Sequence, residues 1–144
     1  MYQRILVPID LNEQGFADQA IRSAVWHAEQ SGGELHLLTV LPGIHMSMVA
    51  TYFPRDAANK MKQEVQQRLQ NFAQQYLPSD INHQLHIDEG KPYATILQFA
   101  AQLNADLIIM PSHKRSRIDK VMLGSVASKV VENSPIPVLV IKPQ

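Results

Sequence analysis

Two short segments of this 144-residue chain carry residue types that can hold an anion: Met110-Pro111-Ser112-His113-Lys114 and Leu123-Gly124-Ser125-Val126-Ala127. A glycine allows close approach to the backbone, and a hydroxyl adds a donor. If the second segment opens a helix, its first N–H groups have no intrahelical partner and the helix dipole places positive charge there. The same residues would also serve a plain turn, with Ser125 capping the helix. Asp10 directly follows the run Ile5-Leu6-Val7-Pro8-Ile9. Its carboxylate can accept hydrogen bonds from ligand hydroxyls or amines, or it can serve a surface turn or cap the next helix. The run His113-Lys114-Arg115-Ser116-Arg117 is dense in positive charge. It can reach phosphates or an acidic partner, or stand as a solvated loop partly balanced by Asp119. No aromatic residue interleaves it, so nucleic-acid binding is not expected.

Metal and catalytic constellations are thin. The histidines at 27, 36, 45, 83, 86 and 113 are scattered, and His83 and His86 are three apart where strand alternation sends them to opposite faces. No carboxylate cluster completes a ligand set, so no structural metal is expected. Zero cysteines remove disulfides, thiolate sites and cysteine nucleophiles. His113 is the one candidate general base near Gly124-Ser125, and the sequence supplies it with no partner. No catalytic residue is assigned, and slow phosphate hydrolysis is the most this reading allows.

These residues need a scaffold, and the sequence writes one. Residues 5–9 form a continuous apolar run suited to a strand covered on both faces, with Pro8 near its end because proline lacks a ladder donor. Ala17, Ala20, Ile21, Ala24, Val25 and Ala28 follow at helical spacing, and Gly32-Gly33 stops that helix. Residues 35–40 read as a second strand. A loop with Ile44, Met46, Met48, Val49, Tyr52 and Phe53 follows, which can close over a ligand, join an interface or pack on the sheet edge. A second helix begins near Ala57, with Met61, Val65, Leu69, Phe72 and Tyr76 as its buried stripe. Residues 84–88 are a third strand, Pro92 opens a third helix faced by Ile96, Ala100 and Leu103, and residues 106–110 are a fourth strand. A fourth helix starts near Gly124, and residues 137–142 form the last strand. Five strands alternating with four helices imply one domain over residues 1–144, an open, doubly wound, mostly parallel sheet with helices on both faces. Ligands of such sheets bind beyond the carboxyl ends of the strands, which selects the loops after strands one, two and four.

Composition bounds the partners. Lys plus Arg and Asp plus Glu are 13 each, leaving no bulk field for nucleic acid or anionic membrane. No apolar run approaches the roughly 18 residues of a membrane span, and the N-terminus enters a strand with no charged-then-apolar leader. A water-soluble, cytoplasmic domain is expected.

These segments together resemble the universal stress protein family. Its ATP-binding members carry a glycine, two residues, a second glycine, nine residues, then Gly-Ser or Gly-Thr. Here Ser112-His113 stands inside the first half, nine residues (115–123) follow Lys114, and Gly124-Ser125 matches the second half. Arg4-Ile5-Leu6-Val7-Pro8-Ile9-Asp10 resembles the family's first strand, and Pro137-Val138-Leu139-Val140-Ile141 its last. The resemblance implies a small, single-domain, Rossmann-like member of the adenine-nucleotide-binding type. It implies ATP or AMP, with Mg²⁺ as a possible companion, held by Pro8, Ile9, Asp10, the Val40 backbone, Met110, Ser112, His113, Lys114, Gly124, Ser125 and Val126. It also implies a homodimer paired through residues 137–141, and a role in sensing or regulation with little turnover. Pro111 and Lys114 replace the two glycines of the first half. Pro111 removes an N–H, while the Lys114 ammonium can still neutralise phosphate. The alternatives are a member acting through protein contacts alone, a slow ATP hydrolase, or a phospho-accepting receiver domain using acidic residues at the ends of strands one and three.

Overall fold

The chain's β1 strand, Arg4–Pro8, buries Ile5, Leu6 and Val7 completely, and everything else is arranged around it. The computed structural model describes residues 2–11, 17–41, 55–112 and 124–142. In chain order the elements after β1 are α1 (Asp18–Ser31), β2 (Glu34–Leu41), α2 (Arg55–Tyr76), β3 (His83–Glu89), α3 (Pro92–Leu103), β4 (Leu107–Pro111), α4 (Ser125–Asn133) and β5 (Val138–Ile141). All four strand pairings are parallel, in the order β3-β2-β1-β4-β5.

Alternation along β1 builds two cores. Ile5, Val7 and Ile9 join Leu35 and Leu37 of β2 beneath Ile21 and Ala24 of α1 and Leu69 and Ala73 of α2. Leu6 turns the other way and meets Leu38, Ile96, Ala100, Ile108, Met110, Ala127 and Val130, under α3 and α4. A strand apolar at every position is what two covered faces require. Burying a side chain such as Ile5 or Leu6 contributes about 1.5–3 kcal/mol each. Asp106 closes the start of the central pair: its Oδ2 accepts from Gln3 N at 2.8 Å and its Oδ1 from Arg4 N at 3.1 Å.

The helix signals fall where the sequence placed them. Gly32 ends α1 in the left-handed region at φ 67°, with its N–H bonded to the Ala28 carbonyl, and Pro92 sits in the first turn of α3. The differences are local. The last strand begins at Val138 because Pro137 has no N–H; its carbonyl accepts from Ile108 N at 3.0 Å instead. The fourth begins at Leu107, and Asp106 just before it donates its N–H to the Arg4 carbonyl at 2.9 Å. The buried line of α2 runs through Val65, Leu69 and Ala73 to Leu77, with Phe72 and Tyr76 beside it, half-buried and 4.6 Å apart between rings. The loop carrying Ile44 to Phe53, with His45, lies outside the described residues. So does the basic run from His113 to Arg117.

Candidate functional site

The strand order reverses between β1 and β4, where the chain leaves one strand toward α1 and the other toward α4. Such a reversal opens a crevice beyond the carboxyl ends of the strands. β2, β1 and β4 are neighbours, so the topology brings together the ends of three strands and the start of α4.

On the β1 side, Pro8 closes the strand half-buried, and Ile9, 4% exposed, extends the ladder by donating its N–H to the Leu38 carbonyl at 2.8 Å. Asp10 lies beyond it, exposed. Two contacts that sequence reasoning missed fix this exit. The buried Thr39 hydroxyl donates to the Ile9 carbonyl at 3.2 Å, and Arg68 Nη2 of α2 donates to the Leu11 carbonyl at 2.6 Å. Thr39 could have been noticed as a hydroxyl inside an apolar strand. Arg68 sits among the exposed polar residues of a long helix, and nothing in its surroundings marks it. Val40 stands half-buried at the end of β2, opposite Asp88 of β3.

On the β4 side, Met110 is buried in the core beneath α4, and Pro111 lies opposite Ile141. Ser112 is 2% exposed. Its N–H donates to the Ile141 carbonyl at 3.0 Å, and among the described residues its Oγ has no hydrogen-bond partner. A buried hydroxyl left unpaired is uncommon and costs stability. His113 and Lys114 lie outside the described residues.

Gly124 holds φ 83° and ψ 158°, a conformation essentially reserved for glycine, and it is the N-cap of α4. Ser125 is therefore the first helical residue, exposed, and the alternative in which it caps the helix does not hold, because Gly124 takes the N-cap position. Ser128 provides the first amide to bond back, to the Gly124 carbonyl at 3.0 Å, and its hydroxyl reaches the same oxygen at 2.7 Å. The amides of Ser125, Val126 and Ala127 precede that ladder, so the positive end of α4 carries donors at the crevice. Chemically, this edge offers a carboxylate on one side and amides with a hydroxyl on the other.

The strand order also bears on the receiver-domain alternative. A receiver sheet runs 2-1-3-4-5, whereas here β2 separates β3 from β1. Asp88 and Glu89 thus end an edge strand, not the neighbour of Asp10. Among the described residues no group of three or more His, Asp or Glu is arranged to hold a metal ion.

The model of the universal stress protein family matches residues 1–142. Universal stress protein G of Salmonella typhimurium is 33% identical over 145 residues, covering 99% of this chain and 100% of that protein. The solved structure of MJ0577, a protein of Methanocaldococcus jannaschii, matches with a TM-score of 0.82 at 27% identity, over 100% of this chain and 98% of that one. Two further structures share the fold at 21% identity and cover 98% of this chain. The universal stress protein from Archaeoglobus fulgidus in complex with dAMP has a TM-score of 0.67 over 98% of its chain, and a universal stress protein in complex with cAMP has 0.70 over 97%.

Proposed function

The chain belongs to the universal stress protein family, and we propose that it binds an adenine nucleotide, ATP or AMP, at the carboxyl ends of β1, β2 and β4. In this reading it serves as a stress-response sensor or regulator with little or no turnover. Asp10 accepts from the adenosine, while Pro8, Ile9, Met110 and the Val40 backbone shape the nucleoside pocket. Ser112, His113, Lys114, Gly124, Ser125 and Val126 meet the phosphates, and Mg²⁺ accompanies the polyphosphate.

One observation carries the proposal: the N-terminus of α4, opened by Gly124, stands at the same strand-end edge as the buried Ser112 hydroxyl, and among the described residues neither has a side-chain partner. Both features supply donors without acceptors among the described residues, which is what a phosphate needs. The relatives solved with dAMP and cAMP point to the same ligand class.

A second reading has its own support. Pro111 has no N–H and the Ser112 amide is committed to Ile141, so neither residue offers a backbone donor to phosphate. A protein acting through protein contacts alone would tolerate that loss. Calorimetric titration with AMP and ATP, with and without Mg²⁺, separates the two, together with native mass spectrometry for co-purified nucleotide. Saturable binding is expected, with stabilisation of about 2.7 kcal/mol at a hundredfold excess over Kd. Gly124→Val should weaken it, because a β-branched residue cannot hold that φ and ψ. No bound nucleotide and no heat with either ligand would leave the second reading.

We further propose a homodimer through the β5 edge and a cytoplasmic location. Val138, Leu139, Val140 and Ile141 are all half-buried on an edge strand, an arrangement that invites pairing.

A further inference from the structure

β2 and β3 are joined by more than their ladder. On the face covered by α3, the rings of His36 and His86 stack with centroids 5.1 Å apart and 16° between planes. His36 Nδ1 lies 2.9 Å from His86 Nε2. The other His36 nitrogen, Nε2, lies 3.0 Å from Glu34 Oε1, and the same carboxylate oxygen is 3.5 Å from Arg4 Nε. Phe99 of α3 covers His86 at 4.7 Å between rings. His36 is 3% exposed and His86 half-buried.

The hydrogen-bond chemistry limits how many protons this chain can hold. An ionised carboxylate only accepts, so His36 Nε2 carries a hydrogen. With His36 neutral, its Nδ1 is a lone pair and His86 Nε2–H donates to it. With His36 charged, its Nδ1–H donates and a neutral His86 accepts. A second charge would set two N–H groups head to head at 2.9 Å, break the bond and place like charges together beneath an aromatic ring. Burial, and then the His36 charge, both hold His86 below the ordinary imidazole value.

Few other charged groups among the described residues face the pair. Arg4 comes from β1 and Glu34 from β2, and alternation puts Asp88 of β3 on the His86 face two residues on. α3 contains no Asp, Glu, Lys or Arg; its titratable group is Tyr93, which lies under Lys129 Nζ at 5.0 Å. The remaining ionisable residues of β3, His83 and Glu89, alternate to the opposite face.

We propose that the His36–His86 pair is an acid-responsive latch, fastening the edge strand β3 and its covering helix α3 at neutral pH and loosening them on mild acidification. In the unfolded or opened chain both imidazoles take protons below about pH 6.5. The closed pair takes one. The excluded proton makes the closed state fully favoured above about pH 6.5, and that advantage is lost as the pH falls below it. The opening equilibrium rises by up to roughly tenfold per pH unit for one excluded proton.

Hydrogen exchange tests this, with protection factors for β3 and α3 amides measured from pH 7.5 to 5.0. In the wild type, protection should fall below about pH 6.5 by up to roughly tenfold per unit, while β4 amides fall less. In His86→Phe, which keeps a ring against Phe99 but no titratable nitrogen, the β3 slope should flatten to that of β4. A wild type whose β3 protection is flat with pH, or a His86→Phe protein with the wild-type slope, overturns the proposal. If the variant does not fold, nitrogen-15 spectra of the wild-type imidazoles decide. His86 remaining neutral well below the ordinary imidazole value supports the latch, and ordinary titration overturns it.

Discussion

Ser112 brings a cost and an opportunity to one atom. Its Oγ is buried without a partner among the described residues, and an unsatisfied hydroxyl of this kind costs about 1–3 kcal/mol. A protein tuned only for stability would carry alanine there. Ser112→Ala should therefore stabilise the ligand-free protein by about 1 kcal/mol in urea denaturation. The same change should weaken AMP binding by about tenfold, as the loss of one hydrogen bond to a charged group would. A loss of stability with unchanged affinity would show instead that the hydroxyl serves the fold. The serine itself was visible in the sequence, as was the glycine at 124. The commitment of the Ser112 amide to Ile141 was not, because it depends on the β4–β5 register, which no local pattern encodes.

Among the helices, α2 buries Val65 and Leu69 as its stripe predicts, with Phe72 and Tyr76 packed half-buried against the same core. Picking the largest apolar residues gave Met61, Val65, Leu69, Phe72 and Tyr76. The buried line steps by four from Val65 to Leu77 and includes a small residue, Ala73, where the helix comes close to its neighbours. Leu69, 1% exposed, is the centre of that line. Leu69→Ala should cost about 2–5 kcal/mol in chemical denaturation, whereas Gln70→Ala on the exposed side should stay within about 0.5 kcal/mol. The strands were legible where their composition was extreme, as in Ile5-Leu6-Val7. The His36–His86 contact was illegible for the opposite reason: fifty residues separate the rings, and each looks ordinary within its own strand. Tyr76 adds a pH signature to α2. Its hydrogen bond to Asp18, then burial, raise its hydroxyl above the ordinary value of 10.0. The folded state thus keeps its proton longer than the unfolded one, and this contribution is present below pH 10 and lost above it.

For the molecule as a whole, the sheet leaves two edges, β3 and β5, and they differ in character. β3 carries His83, Gln84, His86, Asp88 and Glu89, while β5 is Val138-Leu139-Val140-Ile141. Polar and charged residues discourage pairing and an apolar edge invites it, which is why the proposed dimer uses β5. Sedimentation at micromolar concentration should show a dimer, and Val140→Lys should give a monomer with an unchanged circular dichroism spectrum. A wild type that sediments as a monomer throughout that range would remove the proposal. The alternation of strands and helices made the parallel sheet legible from the sequence. The placement of β2 between β1 and β3 was not, since crossover direction leaves no mark in composition.

The strand order also sets a timetable for synthesis. β1 leaves the ribosome first, yet its second neighbour, β4, and the Asp106 carboxylate that fixes Gln3 lie 103 residues later in the chain. At about 5–20 residues per second, the innermost strand waits roughly 5–20 s with one side unpaired. The central strand of the finished sheet is thus left half-paired through most of the chain's synthesis.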